Sequence, residues 1–552
     1  MPENTENRCK KGKISMIIQI TPKNGNSTAD VVSALEEIKK VGGGEIHFEK
    51  GEYHFYASGT HKEFYAVSNN SACDKNIVFP VIDMENVTID GQGSHFVFHD
   101  VVFPFMISQS KNITIRNMLI DTGKSPLVEF RIHHKTDDGF YMDIDKNENP
   151  FHIEEGSLCF EREAGVVSGK ERFLSLHAVG VHRVQYFATG DCKANMTNLP
   201  APLMKCIASE TENGIYAKYC EDSPSKCRFG EDVVTAIVDG GRNVDVICLD
   251  KSEKVTICNV TVARGIGMGI IGQISSDILI DGFSTDIGYH PSSYQTLTAD
   301  SLHFVNCDGK LEIKNCKISD TMDDVVNIHG MYTVVTHWEK EKLFARIMHR
   351  EQHFFNPYRP GDRLEIIDDT TFEVVSEFVV KNAYFNEESG TDIVMEGTFT
   401  YGDNRLSQNF RIENPDRMPD VHMHHNRFFN FPHIRMSGAG EMLVEDNHFS
   451  DCEAALLCLD LAPFWYESGR VKHLVYRNNI LDDCNAHGKE EFIRIGIDGV
   501  EDEAAPKIHE KIEIYGNKFS KIKKFAVRAS GLKELVFEDN IFDKEYDNLL
   551  KI

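Results

Sequence analysis

Asp300, Asp320, Asp323 and Asp324 are the residues of this sequence whose type and spacing most invite chemistry. Three of them crowd into Ser319-Asp320-Thr321-Met322-Asp323-Asp324-Val325-Val326-Asn327-Ile328-His329-Gly330, and Asp300 lies about one repeat upstream. Adjacent carboxylates repel one another, which raises one pKa and leaves the others ionised. One protonated and one ionised carboxyl group is what glycoside hydrolysis needs: an acid to protonate the leaving oxygen, and a carboxylate to activate water or attack carbon. Asp is also frequent in turns, and the pair alone suits either reading. Asp300, with His329-Gly330 just beyond the pair, moves the balance toward chemistry, and Asp320 is left as a turn residue.

These acids must be positioned by a repeat. Asn86-Val87-Thr88-Ile89-Asp90-Gly91 is echoed at 112–117, 254–259, 277–282 and 310–315, and again at 443–447, 475–479, 512–517 and 536–540. Each copy is a short alternating strand ending at Asn or Gly, residues that tolerate a left-handed corner. A strand that cannot bury its inward face alone must stack on its neighbours, which predicts a parallel β-helix with Asn side chains laddered from coil to coil. Strands on successive coils stack ~4.8 Å apart, so Asp300 and Asp323, about one coil apart in sequence, become neighbours in space. Asp323 and Asp324 should point to opposite faces within a strand, but at a strand-to-turn junction both can reach one groove.

One amphipathic helix, residues 29–40, precedes the repeat, with Ser27, Thr28 or Asp30 available as cap, and is read as the cover over the first coil. The repeat is interrupted twice. Residues 124–244 and 331–420 instead carry runs such as 127–133, 139–144 and 173–182, then 332–337, 343–348, 364–367, 371–380 and 392–397, separated by turn signals. These read as two inserted antiparallel β-barrel-like domains. The expected organisation is therefore a cap and first coils (1–123), an inserted domain (124–244), coils with the acids (245–330), a second inserted domain (331–420) and C-terminal coils (421–552).

Lys and Arg number 59 against 86 Asp and Glu, a net charge of −27, which opposes nucleic acid and anionic lipid and suits an uncharged sugar. The N-terminal residues have no apolar core of signal-peptide length and no run reaches the length of a membrane span, so the chain reads as cytoplasmic as written, or as exported with its signal already removed. The 14 cysteines are scattered, and Cys248, Cys258 and Cys316 lie on apolar strands where buried thiols are ordinary.

The helix followed by Gly42-Gly43-Gly44 resembles the opening of the pectin-lyase-like right-handed parallel β-helices. Thr298-Ala299-Asp300-Ser301-Leu302-His303-Phe304, the stretch from Asp320 to Gly330, and Trp465-Tyr466-Glu467-Ser468-Gly469 resemble motifs of glycoside hydrolase family 110, the α-1,3-galactosidases. The resemblance implies an all-β fold, exo-removal of terminal α-1,3-linked galactose from blood group B-type or linear α-galactosyl glycans, inversion at the anomeric carbon, no metal, and a homodimer. By position it makes Asp323 the general acid and gives Asp300 and Asp324 the activation of water.

His329, Trp465, Glu467, Arg264 and Arg435 are candidate sugar-binding residues. His329 suits a hydroxyl or an Asp partner, Trp465 offers a face to a pyranose, and the arginines could bind hydroxyls or pair with acids. His422-Met423-His424-His425 with His433 invites a metal, but alternation puts His422 and His424 on one face and His425 on the other. Three rival readings share the fold. A polygalacturonase-like hydrolase would want basic residues near Asp323, a non-catalytic carbohydrate-binding β-helix would not need acids one coil apart, and a lyase would need calcium.

Overall fold

The computed structural model describes residues 16–124, 127–154, 156–160, 184–188, 193–195, 206–219, 221, 233–238, 244–293, 295–401, 410–460, 464–485, 490–500 and 502–552. The strand expected at 173–182 lies outside them.

The repeat phrases stack as one column. Val87 pairs in parallel with Ile113, then in turn come Val255, Ile278, Leu311, Val421, Met442, Leu474, Ile512 and Leu535. Each partner comes from the next coil of chain, so the sheet is a parallel β-helix. The steps from 113 to 255 and from 311 to 421 show that both interruptions are excursions, after which stacking resumes in register. Inward positions carry Val, Ile, Leu, Met and Phe, and almost every one is fully buried. Removing each from water contributes about 1.5–3 kcal/mol, the main term against chain entropy.

The corners follow from residues that accept positive φ. Asn117, Asn259 and Asn315 are themselves left-handed, at φ 60°, 52° and 56°. In the later coils the left-handed residue is His425, Asp446, Asn478, Gly516 or Asp539, and the Asn after it turns inward. The expected ladder is built there: Asn426 donates to Asn447 at 2.9 Å, Asn447 to Asn479 at 3.0 Å, Asn479 to Asn517 at 3.1 Å and Asn517 to Asn540 at 3.1 Å.

The helix spans Thr28–Val41 and buries Val31, Leu35 and Ile38 over the first coil. Ser27 occupies the N-cap position, as expected, but its side chain makes no cap hydrogen bond. Asn26, rather than Ser27, Thr28 or Asp30, accepts the Thr28 N–H at 2.9 Å, because a residue just before the helix can reach an orphan donor of the first turn.

The first excursion leaves the coil after the strand Lys111–Thr122. It contains a seven-stranded antiparallel sheet in the order Lys193–Asn195, Val184–Ala188, Val233–Val238, Leu127–Thr136, Gly139–Ile144, Gly214–Tyr219, Cys206–Thr211. The second leaves after Val326–Met331 and closes into a six-stranded antiparallel barrel of Thr333–Glu339, Lys342–Arg346, Asp392–Tyr401, Val374–Phe385, Arg363–Asp368 and Phe410–Glu413. Phe410–Glu413, the strand that closes the barrel, carries no strong pattern of its own in the sequence. The barrel core, with Leu343, Leu364, Phe378 and Met395, merges with Ile274 and Val305 on the outer face of the β-helix sheet that includes Leu302–Val305 and Val326–Met331. The barrel therefore packs on part of the outer side of that sheet.

Candidate active site

The corner entering Val326–Met331 is fixed before any acid is placed. Asp320 is left-handed, at φ 58°. Its carboxylate accepts from Ser319 Oγ at 2.6 Å and from Asn430, so it is the turn residue that the sequence suggests. Thr321 bridges to Leu297, which bridges to Gly265 on the coil before. Met322 is fully buried. On the neighbouring coil Gly267 has φ 69°, and a Cβ there would sit 2.0 Å from the Val244 carbonyl oxygen, so the tight corner requires glycine.

From that corner the chain presents both acids. Asp323 is half-buried, and its Oδ1 accepts from the Asp324 N–H at 3.2 Å. Asp324 is 3% exposed; its Oδ2 lies 3.0 Å from Arg435 Nε and its Oδ1 3.2 Å from His433 Nδ1. Asp300 arrives from the preceding coil, where Ser301 N–H donates to the Asp324 carbonyl at 2.9 Å. Burial pushes the Asp324 carboxyl up to about 6, with Asp300 and Asp323 adding repulsion and Arg435 and His433 opposing it. Burial lowers the affinity of His433 for a proton, but Asp324 and Glu453, at 3.2 and 3.1 Å, outweigh it and hold the imidazole above its usual pKa.

A second branch runs along the outer face of the sheet. His303 Nδ1 lies 2.7 Å from Asp300 Oδ2, and its Nε2 lies 3.0 Å from His329 Nε2. His329 Nδ1 stands 2.6 Å from the Gly330 carbonyl oxygen. Burial, with the neighbouring His303, moves the His329 pKa down. Glu467, antiparallel to Met331, has Oε1 3.6 Å from His329 Nε2 and accepts from Asn69 Nδ2 at 2.8 Å. Burial opposes its ionisation, but the neighbouring His329, His303 and Arg435, with the Asn69 donor, hold it below the usual carboxylate range.

Of the residues expected from sequence, Asp300, Asp323, Asp324, His329, Glu467 and Arg435 are thus brought together. Arg435 Nη1 is buried and meets no acceptor among the described residues. Trp465 lies at the junction with the barrel, its ring 4.6 Å from His349 and 5.5 Å from Phe464. Arg264 is placed elsewhere: it donates to Glu148 at 2.9 Å and to the Thr122 carbonyl, and lies 3.6 Å from Asp121. That is a structural ion pair rather than a contact to the acids. His422 and His424 stack at 4.0 Å on another sheet, beside Glu445 and Glu312, while His433 belongs to the acid cluster. Among the described residues no three His, Cys, Asp or Glu side chains form a group that could hold a metal ion.

His303, His433, Glu453 and Asn69 complete the network without having been expected in it. His303 had a signal, being the polar outward residue of the apolar strand Leu302–Val305, three residues after Asp300. Asn69 had none, since nothing local ties it to Glu467.

No family model matches the chain. It is 25% identical over 531 residues to an α-1,3-galactosidase A of Shewanella woodyi, covering 93% of this chain and 83% of that protein. It is 26% identical to an α-1,3-galactosidase B of Phocaeicola vulgatus, covering 94% and 84%, and 28% identical to a second from that organism, covering 79% and 73%. Among solved structures, a tailspike protein of E. coli bacteriophage HK620 in complex with a pentasaccharide aligns with TM-score 0.42 and 12% identity, covering 96% of this chain, which spans 61% of the tailspike chain. The A-module of the Azotobacter vinelandii mannuronan C-5 epimerase AlgE4 aligns with TM-score 0.38 and 8% identity, covering 96% and 94%. Over most of its length this chain is a homologue of curated α-1,3-galactosidases.

Proposed function

We propose that this chain is an exo-acting, inverting glycoside hydrolase that removes terminal α-1,3-linked galactose from blood group B-type or linear α-galactosyl glycans, and that it works as a homodimer. The glycosidase class rests on the homologues. The observation that carries the assignment to this site is the corner where Asp323, Asp324 and Asp300 converge, with burial and mutual repulsion lifting Asp324 to about 6. In this reading Asp323, the more exposed of the pair, protonates the leaving oxygen, and Asp300 and Asp324 serve the water on the opposite side of the sugar. Arg435, with its buried unpaired Nη1, and Glu467 are the residues that would bind galactose hydroxyls. A polygalacturonase-like reading is disfavoured because Arg435 is already engaged by Asp324, and His433 by Asp324 and Glu453.

The experiment is hydrolysis of B trisaccharide, linear Galα1-3Gal and p-nitrophenyl α-galactoside followed by proton NMR. Release of galactose first as the β-anomer is expected. The α-anomer as first product would exclude inversion, and no release from any substrate would exclude the galactosidase. Sedimentation at assay concentration tests the dimer, a monomer being the contrary result.

A further inference from the structure

Three contacts in the second branch fix where protons must sit. The Gly330 carbonyl oxygen can only accept, so His329 Nδ1, at 2.6 Å, carries a hydrogen. His329 is fully buried and its pKa is lowered by that burial, so the ring is neutral and its Nε2 is an acceptor. His303 Nε2, 3.0 Å away, must then be the donor. That leaves His303 Nδ1 facing Asp300 Oδ2 at 2.7 Å, a distance at which a bare lone pair against a carboxylate would be repulsive, so this contact also holds a proton. Two neutral imidazoles supply two protons, and three contacts need three. The third belongs to the His303–Asp300 pair.

We propose that His303 is the positioning residue that makes Asp300 the base: clamped as an imidazolium between Asp300 and a tautomer-locked His329, it holds Asp300 Oδ2 and leaves Oδ1 aimed at the water. This rests on the galactosidase reading above. The surroundings favour a cation there. His303 has Ile271 and Asn327 as strand neighbours, with Asp300, His329 and Glu467 beyond. Asp324 is served by Arg435 and His433, which leaves the negative charge of Asp300 and Glu467 to the His303–His329 pair.

The geometry also separates the two candidate bases. Both carboxylate oxygens of Asp324 are occupied by donors, whereas among the described residues only His303 hydrogen-bonds the Asp300 carboxylate, through Oδ2. Asp300 Oδ1 is the oxygen left for water. In the chemical step the water oxygen bonds to C1 as the bond from C1 to the leaving oxygen breaks. The water proton passes to Asp300 Oδ1, and the Asp323 proton passes to the leaving oxygen. His303 keeps its protons throughout and touches no reacting atom.

The test is the pH profile of kcat/KM with p-nitrophenyl α-galactoside, whose leaving group needs little acid assistance and so isolates the base. In His303→Asn the amide can still donate near the Nδ1 position but cannot carry charge. The acidic limb is expected to move up, with kcat/KM falling about ten-fold for each pH unit that it moves. A folded H303N enzyme with the wild-type limb would overturn the proposal. Should that variant not fold, His329→Gln and His329→Leu read the same chain, since Gln keeps an acceptor for His303 Nε2–H and Leu does not. The limb is expected to rise in the Leu variant and stay in place in the Gln variant, whatever the change in rate. Equal positions in the two variants would refute the clamp. A wild-type enzyme that releases no galactose would instead refute the functional reading, so the two failures are distinct.

Discussion

Arg435 Nε stands 3.0 Å from Asp324 Oδ2, joining two residues that the whole barrel excursion separates along the chain. The β-helix makes this possible because Val326 pairs with Ile434 and Asn327 with Arg435, so the coil after the barrel lands on the coil before it. Asp324 is buried and Arg435 half-buried, and removing the arginine would leave a buried carboxylate uncompensated.

The first prediction concerns Asp324. Its folded pKa of about 6 lies above the unfolded value of 3.8. The stability this group contributes is therefore fully present below 3.8 and lost as pH rises through about 6. Whatever fixed offset the substitution brings, thermal denaturation should show Asp324→Asn gaining on wild type by about 3 kcal/mol between pH 4 and 7. A constant difference across that range would remove the raised pKa.

Asp323→Asn should separate acid from base function. Loss of the proton donor is expected to lower kcat on B trisaccharide by about 10²–10⁴-fold. On p-nitrophenyl α-galactoside, with its good leaving group, the loss should be far smaller. Equal losses on both substrates would take the acid role away from Asp323.

Asp121 tests the placement of Arg264. Burial would raise its pKa, but hydrogen bonds from His290 and His95 and the charge of Arg264 hold it at about 2. A depressed pKa contributes stability above the unfolded value, lost as pH falls toward 2. Asp121→Asn should cost about 2 kcal/mol at pH 7, shrinking toward zero near pH 2. Denaturant titrations at several pH values would show it, and a pH-independent cost would contradict the assignment.

The Asn ladder makes a structural prediction. Asn479 accepts the Asn447 N–H at 3.0 Å and donates to Asn517 and to the Val444 carbonyl, all within the core. Asn479→Ala orphans those groups and should cost about 1–3 kcal/mol in urea unfolding. An effect within error would mean that the ladder is incidental.

How far the sequence reaches depends on the kind of contact. The repeat phrases were legible because inward and outward positions alternate along each strand, and a parallel stack repeats that pattern in register from coil to coil. Asp300 could be brought to the acid pair from sequence for the same reason, since one coil of uninterrupted chain separates them, but the spacing matched it to Asp323 and the register sets it beside Asp324. His433 could not be allotted correctly. In sequence it follows His422 to His425, yet the chain passes a corner between them and places His433 on a different strand, beside Asp324. Arg264 and Arg435 were indistinguishable as letters. One turned to Asp121 and Glu148, the other to Asp324, and only the stacking of distant coils decided which.

The sequence by itself determined the β-helix, its capping helix, its two excursions and the corner bearing Asp323 and Asp324, because these follow from local periodicity and from residues that tolerate positive φ. Only the tertiary structure decided the protonation network, from Asn69 through Glu467, His329 and His303 to Asp300. Those contacts depend on which side chains from distant stretches of chain meet, buried, on the sheet that includes Leu302–Val305 and Val326–Met331. There hydrogen-bond donors and acceptors must be matched one to one, a condition that no short stretch of sequence records.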